Sequence, residues 1–376
     1  MIDPPVTVEG GPGFDPARVG GEGTPLCSIV IPTFNGRELL ETCLASIHRH
    51  LPPDRARDVE VIVSDDASTD GTAEWLAAAF PSVRVLRRET NGGFCAAANA
   101  GIEVARGHFI QLLNNDTEVT AGWIESGLAP FADPTVGSVA PLVLVRSEPW
   151  RVDSAGDTYT LSGWPAKRGH GQPAERWAAR PADEVFAASG SSAFYRAEAL
   201  RRVGGFDPLL GSYYEDVDLG FRLRWAGYRC LYSPRCRILH EISATYDHGR
   251  PSLQRRMARN AELVFWSNMP AGRLGPAIVL HAFLLATQGC WRLARLRFLP
   301  FFLGKLDAAR DLKSIRDRRR LRADLARGSS NPAHFPLGVG SFGAVLGHLH
   351  RPQEHSARTP RLDRDRSRDG LSRGSR

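Results

Sequence analysis

Between residues 28 and 145, short apolar runs alternate with helical patterns, and this alternation constrains the fold more than any other feature of the chain. "SIVIPTF" (28–34), "VEVIVSDD" (59–66), "VRVLRR" (83–88), "HFIQLLNND" (108–116) and "GSVAPLVLV" (137–145) read as strands. Three of them are nearly continuous Val/Ile/Leu runs, the pattern of strands covered on both faces. Between them, 36–50, 72–80, 94–105 and 121–131 carry helical periodicity. Strand–helix–strand alternation implies a doubly wound α/β domain, its sheet mainly parallel and its helices on both faces. Such a sheet binds ligands beyond the carboxyl ends of its strands. The polar residues just past the apolar runs are therefore the candidates for chemistry.

The rhythm changes after residue 145. Residues 146–183 are rich in Gly, Pro, Trp and Arg and read as long loops or a short hairpin. Residues 184–200 read as a strand and then a helix. "YYEDVDLGFRLRWAGYR" (213–229) reads as a helix with acids at its start and Gly227 as its stop. Residues 274–303 are the most apolar stretch, but only about 14 residues run uninterrupted, short of the roughly 20 that span a bilayer. A buried helical hairpin and an interfacial membrane-binding helix both fit it. The net charge of +7 concentrates near the C-terminus. Residues 305–327 hold nine Lys/Arg against four Asp, and 351–376 hold eight Arg against four acids. The six cysteines form no CxxC pair and read as reduced packing thiols in a reducing compartment. The N-terminus lacks a basic and an apolar region, so it is not read as a signal peptide. The expected organisation is a flexible leader (1–25), an α/β domain (26–268), an apolar and basic helical appendage (269–330) and a flexible basic tail (331–376).

The chemistry sits at strand ends. "VIVSDDASTDGT" ends a strand in Asp65-Asp66, and carboxylates there can accept hydrogen bonds from a ribose hydroxyl or a base imino group. Helix capping explains Ser68 and Asp70 but not two acids on the strand terminus. "NGGFCAAANAG" puts Gly92-Gly93 before a small-residue helix, where backbone can approach a phosphate. No G-x-G-x-x-G follows a strand and no GxxxxGK[ST] occurs, which weakens dehydrogenase and P-loop readings. "FIQLLNNDTEV" breaks an apolar run at Asn114-Asn115-Asp116. That is either a strand-ending turn or a metal and phosphate site.

Together "SIVIPTFN", "VIVSDDASTDGT", "NGGFCAAANAGI", "LLNNDTEV" and "GGFDPLLGSYYEDVDLGFRLRWAGYR" resemble the family 2 glycosyltransferases, within them the rhamnosyltransferase-like branch. The resemblance covers about residues 26 to 268. It implies a GT-A fold and inverting transfer of a sugar, with rhamnose the first guess, from a dTDP- or UDP-linked donor to a glycan or lipid-linked hydroxyl. By position, Pro32, Thr33 and Asn35 would lie at the nucleoside, and Asp65 at the nucleobase with Asp66 close by. Gly93 and Asn99 would line the donor. Asn114-Asn115-Asp116 takes the place of the family's Asp-x-Asp motif, so Asp116 is the principal carboxylate for a Mn²⁺ or Mg²⁺ ion. His240, or less favourably His248, would be a second metal ligand. Asp216 would be the catalytic base and Glu215 its partner. Asp218, four residues before Arg222, reads as a structural ion pair. Two rivals remain at this level, a nucleotidyltransferase and a non-catalytic sugar-nucleotide or membrane-binding protein. The expected place is the cytoplasm, peripheral to the inner face of the membrane, with no nucleic acid as partner.

Overall fold

A computed structural model describes residues 24–242 and 250–338. Most of the expected leader, His248 and all of the tail beyond 338 lie outside the described residues. In chain order the elements begin β1 (Cys27–Thr33), α1 (Arg37–His50), β2 (Val59–Asp65), α2 (Thr72–Ala79), β3 (Arg84–Arg87), α3 (Phe94–Val104), β4 (Phe109–Leu112), β5 (Thr117–Val119) and α4 (Trp123–Leu128). They continue as β6 (Val136–Val145), β7 (Glu148–Ser154), β8 (Asp157–Thr160), β9 (Pro165–Lys167), α5 (Ala174–Ala178), β10 (Glu184–Val185), β11 (Phe194–Arg196), α6 (Ala197–Val203), α7 (Glu215–Trp225) and β12 (Arg229–His240). Four longer helices follow, α8 (Pro251–Asn268), α9 (Ala271–Ala294), α10 (Phe298–Arg310) and α11 (Leu312–Arg327), before β13 (Leu337–Gly338).

The main sheet runs β10-β12-β6-β11-β4-β1-β2-β3. β1 pairs in parallel with β2 on one side and β4 on the other. The chain thus winds outward from β1 through β2 to β3 and returns to the far side of β1. The crevice at the carboxyl ends of β1 and β4 is the switch point where an open α/β sheet takes its ligand. β1 is wholly buried, as its unbroken apolar run requires. The small residues of α3 let that helix press onto the sheet. A Cβ on Gly101 would sit 2.4 Å from a Val30 methyl.

Beyond β4 the sheet is mixed. β11 is antiparallel to both β4 and β6, and β12 is parallel to β6. The stretch 184–200 holds two short strands rather than one, β10 and β11 at different places in the sheet, before the expected helix begins as α6. Residues 146–183 contain strands β7, β8 and β9 as well as loops. Their period-two signal is hidden because they bury polar residues, Asp153, Ser154 and Asp157, in place of apolar ones.

The appendage is bound to the α/β domain by buried charge. Asp218 meets Arg222 at 2.7 Å, Arg322 of α11 at 2.8 Å and the Asn268 amide at 2.8 Å. Burial opposes the charge on Asp218, but the two guanidiniums hold its pKa below the usual carboxylate range. Breaking a buried pair leaves an uncompensated charge and costs about 3–5 kcal/mol. Asp218→Asn is therefore expected to lower the unfolding free energy extrapolated from urea titration at neutral pH by an amount in that range, with a matching fall in the urea midpoint. A carboxylate depressed on folding stabilises fully above its unfolded pKa, about 4. The gap between wild type and variant should accordingly narrow as the pH falls below that value. A variant with unchanged urea midpoint at pH 7 would refute the assignment.

Candidate active site

The strand ends converge as the topology requires. Thr33 closes β1 opposite Asp65 of β2. Its Oγ1 accepts the Asn115 amide at 2.9 Å, joining the ends of β1 and β4. Gly36 makes room for that amide, since a Cβ there would lie 2.4 Å from Asn115 Nδ2. Pro32 is buried within β1. Asn35 takes a left-handed φ of 49° and braces the neighbouring loop. Its N–H donates to Ser68 Oγ at 2.9 Å and its Oδ1 accepts the Thr69 N–H at 2.8 Å.

Asp65 is fully buried, with Oδ1 accepting the Ser68 N–H at 3.0 Å. Its Oδ2 makes no hydrogen bond, and the Arg87 Nε is 3.8 Å away. A buried carboxylate oxygen of this kind is ready to accept one more N–H or O–H. The neighbouring Asp66 is used differently. It accepts N–H bonds from Gly92 and Gly93 and a 2.6 Å bond from Arg88, so it brackets the glycine loop that precedes α3. Asn99 is also fully engaged, exchanging two hydrogen bonds with the Phe206 backbone at 2.7 and 2.8 Å. The structure brings Thr33, Asn115 and the oxygens of Asp65 toward the crevice, while Asp66 and Asn99 secure its walls.

Asp116 and His240 are 124 positions apart yet adjacent in space. His240 ends β12 opposite Thr117 of β5, so antiparallel pairing brings its ring to the residue just before that strand. Its Nε2 lies 3.4 Å from Asp116 Oδ1, a buried oxygen without a hydrogen bond. On the other side Nδ1 meets Asp153 Oδ2 at 3.0 Å. Burial favours the neutral ring, but the two carboxylates push its pKa up to about 9. A carboxylate oxygen and an imidazole nitrogen at this separation, with the ring fixed by a second carboxylate, fit a divalent cation in place of that proton. Among the described residues no group of three or more His, Cys, Asp and Glu side chains forms a cage. The remaining ligands of a cation here would come from a bound diphosphate or water.

Asp116 and Asp216 are linked through one loop. Ser191 accepts the Asn114 N–H at 2.8 Å, and the next residue back, Gly190, donates to Asp216 Oδ2 at 3.1 Å. Asp216 begins α7 half-buried, its Oδ1 accepting the Val217 N–H at 2.8 Å. Glu215 beside it is buried and its Oε2 has no hydrogen bond. Burial, reinforced by the charge of Asp216, raises its pKa well above the usual range. Burial thus disfavours the charged form of Glu215, whereas Asp216 is half-buried and oriented by backbone N–H groups. The turn before them is strained, with Tyr213 and Tyr214 both near φ +70°. Buried Asn260 of α8 holds it by donating to the carbonyls of Leu210, Ser212 and Tyr213 at 2.8 to 3.1 Å.

Several of these groups escape sequence reading. Asp153 is wholly buried, yet Lys167 at 2.9 Å, His170 and His240 hold it well below the usual carboxylate range. Burial and the charge of Asp216 push Asp157 well above that range. Although desolvation opposes it, Asp153 beside the part-exposed Lys167 raises its pKa. The available signal was two acids inside a strand pattern, "VDSAGD", in a segment without an evident core face. Nothing local marks Asn260, since its partners are about 50 positions away.

Comparison with known proteins bears on the family and the fold. The sequence model of Glycosyl transferase family 2 matches residues 28–204. A "Pre-mycofactocin glycosyltransferase" of Mycobacterium tuberculosis is 31% identical over 236 residues, 62% of this chain and 45% of that protein. An "N-acetylglucosaminyl-diphospho-decaprenol L-rhamnosyltransferase" of the same species is 30% identical over 246 residues, 58% of this chain and 76% of that protein. The chain thus spans less than half the length of the first relative and about three quarters of the second. Among solved structures, GalNAc-T7 with UDP, GalNAc and Mn²⁺ superposes with a TM-score of 0.51 at 20% identity, covering 78% of this chain and 58% of that one. This likeness fixes the fold as GT-A type, a mainly parallel sheet between helices with a C-terminal helical appendage. On its motifs, its fold and the length of the rhamnosyltransferase that it matches, the chain belongs to glycosyl transferase family 2.

Proposed function

We propose that this protein transfers a sugar, with inversion, from a nucleoside diphosphate sugar to a hydroxyl of a glycan or lipid-linked acceptor. The observation that carries the reading is the Gly190–Ser191 loop, which joins the strand end bearing Asp116 to the carboxylate of Asp216. The acceptor oxygen attacks the anomeric carbon, the bond to the diphosphate breaks, and the hydroxyl proton passes to Asp216. One displacement inverts the centre. Glu215 orients the acceptor or the base. Thr33, Asn35 and Asp65 hold the nucleoside, and Asp116 with His240 holds a Mn²⁺ or Mg²⁺ ion. When bound, that ion neutralises the charge developing on the leaving diphosphate. Imidazole beside carboxylate favours manganese over magnesium.

The first donor to test is dTDP-rhamnose, with UDP-sugars next, because the rhamnosyltransferase relative is similar over most of its length. Purified protein with a donor panel and Mn²⁺ or Mg²⁺ should release free nucleoside diphosphate. Release of pyrophosphate would instead indicate nucleotidyl transfer, and no release from any donor would favour a binding protein. The free cysteines, five of them buried, suit the reducing cytoplasm.

Asp153 fixes the orientation of the His240 ring. Loss of such a partner typically lowers metal affinity by about 10- to 100-fold. Asp153→Asn is expected to weaken Mn²⁺ binding in that range, measured by calorimetry or by the Mn²⁺ spin signal. Unchanged Mn²⁺ affinity would show that Asp153 has no part in the ion site.

A further inference from the structure

We propose that the α9–α10 pair docks flat on an anionic lipid surface, without crossing it. The outer side of the pair is apolar and open. Leu296 is 95% exposed, Val279 70%, Leu299 64% and Leu293 62%, with Ile278 and Phe302 beside them. So many large apolar side chains left uncovered on one helix pair exceed the scattering of single apolar residues on an ordinary surface. On α10 the exposed residues Leu299, Phe302 and Leu306 recur at i, i+3 and i+7, one face of a helix.

Charge identifies the occupant. From Ala271 to Leu306 the sequence contains no Asp or Glu, but it contains Arg273, Arg292, Arg295, Arg297 and Lys305. Three of these arginines cluster at the junction of the helices, where Leu296 is the most exposed apolar side chain. Lys305 and Arg292 turn inward, but the exposed Arg295 and Arg297 flank the apolar face. An apolar face flanked by cations, with no acid along 271–306, complements anionic headgroups over an acyl layer. Pairing with a second copy would bring the same cations together, which disfavours that occupant.

The inward side argues against a spanning helix. α9 is long and apolar enough to cross a bilayer, at 24 residues. However, Ala277, His281 and Leu284 form a buried stripe against the protein. His281 stacks on Phe265 with centroids 3.8 Å apart and meets Glu262 at 3.1 Å. Lys305 of α10 reaches the same carboxylate at 2.7 Å. Although burial opposes its charge, these partners hold Glu262 down to about 2. Moving α9 into a bilayer would strip His281 from that carboxylate and expose the Phe265 stack.

The docking face also lies toward the acceptor side of the site, a point that rests on the glycosyl-transfer reading. α10 packs along α8, and α8 clamps the turn before Glu215 through Asn260 and through Arg256, which donates to Ser212 at 3.0 Å. Arg292, lying over the Phe301 ring at 5.0 Å, acts electrostatically on Tyr214, the residue before Glu215. A membrane under α9–α10 would therefore present a lipid-linked acceptor close to the turn that carries the base.

The test is flotation of the full chain with vesicles of phosphatidylcholine, alone or mixed with phosphatidylglycerol. The chain is expected to float with the mixed vesicles and to be released by alkaline carbonate. Arg295→Gln with Arg297→Gln should lower partition onto the mixed vesicles by roughly 25-fold, about fivefold per charge. Leu296→Glu with Leu299→Glu should abolish flotation while circular dichroism and nucleoside diphosphate release with a soluble acceptor stay unchanged. No flotation by the full chain overturns the proposal, as does retention through carbonate extraction, which would mean a spanning helix. Vesicle binding indifferent to the leucine variant, with a dimer converted to monomer by it, would assign the face to a second copy instead. Flotation does not depend on turnover, so loss of one reading leaves the other standing.

Discussion

Asp216→Asn lowers kcat by about 10²- to 10⁴-fold, the usual contribution of a positioned base, and leaves donor affinity nearly unchanged. The expectation follows from where each acid sits. Asp216 reaches solvent and is aimed by the N–H groups of Gly190 and Val217. Asn preserves its shape and can still accept one of those bonds, so the α7 start should remain folded. What it loses is a basic oxygen. Glu215 is buried, and that burial, with the charge of Asp216, raises its pKa and disfavours its charged form. Glu215→Gln keeps a hydrogen-bond donor there and should cost much less. Single-turnover rates and donor titrations on both variants separate the roles. Near-normal kcat in Asp216→Asn together with a dead Glu215→Gln would place the base on the wrong residue here.

Asp116→Asn should remove Mn²⁺ binding and lower turnover by a factor on the order of 10³, since charge stabilisation of a leaving group by a metal is worth several kcal/mol. Asp116 Oδ1 is the carboxylate oxygen beside the Nε2 edge of His240, and its amide neighbours Asn114 and Asn115 carry no charge that could substitute. The variant should fold normally. Asp116 contributes its backbone carbonyl to Glu241, a bond that the substitution leaves intact. Equilibrium Mn²⁺ binding is the primary readout, with donor turnover in the presence and absence of EDTA as the second. Full activity in EDTA, or in the variant, would remove the ion from the reading.

These two carboxylates differ in how visible they were. Asp116 follows a buried apolar run, and a polar residue at a parallel strand's carboxyl end is conspicuous in any doubly wound pattern. Asp216 was one of three acids within four residues. Helical spacing already separated Asp218, whose i+4 partner Arg222 does hold it at 2.7 Å. Choosing between Glu215 and Asp216 needed the resemblance to a family, and their unequal burial adds an independent physical distinction.

The sequence by itself determined the parallel half of the sheet, from β1 to β4, because strands covered on both faces must be continuously apolar and their ends must be polar. It also determined that acids at 65, 116, 215 and 216 stand at element ends. Only the tertiary structure decided which groups support them. His240 reaches Asp116 through the pairing of β12 with β5, across more than a hundred residues. Asp153 reaches the site from a strand whose buried end is partly polar, so no hydrophobic period announced it, and Lys167 meets it from β9. Asp66 and Asn99, which resemble donor contacts in one dimension, turn their polar atoms to backbone partners that folding brings near. Periodicity records which face of an element is buried. It carries no record of which distant polar group will meet that face, since such a partner is selected by register and packing after the elements assemble.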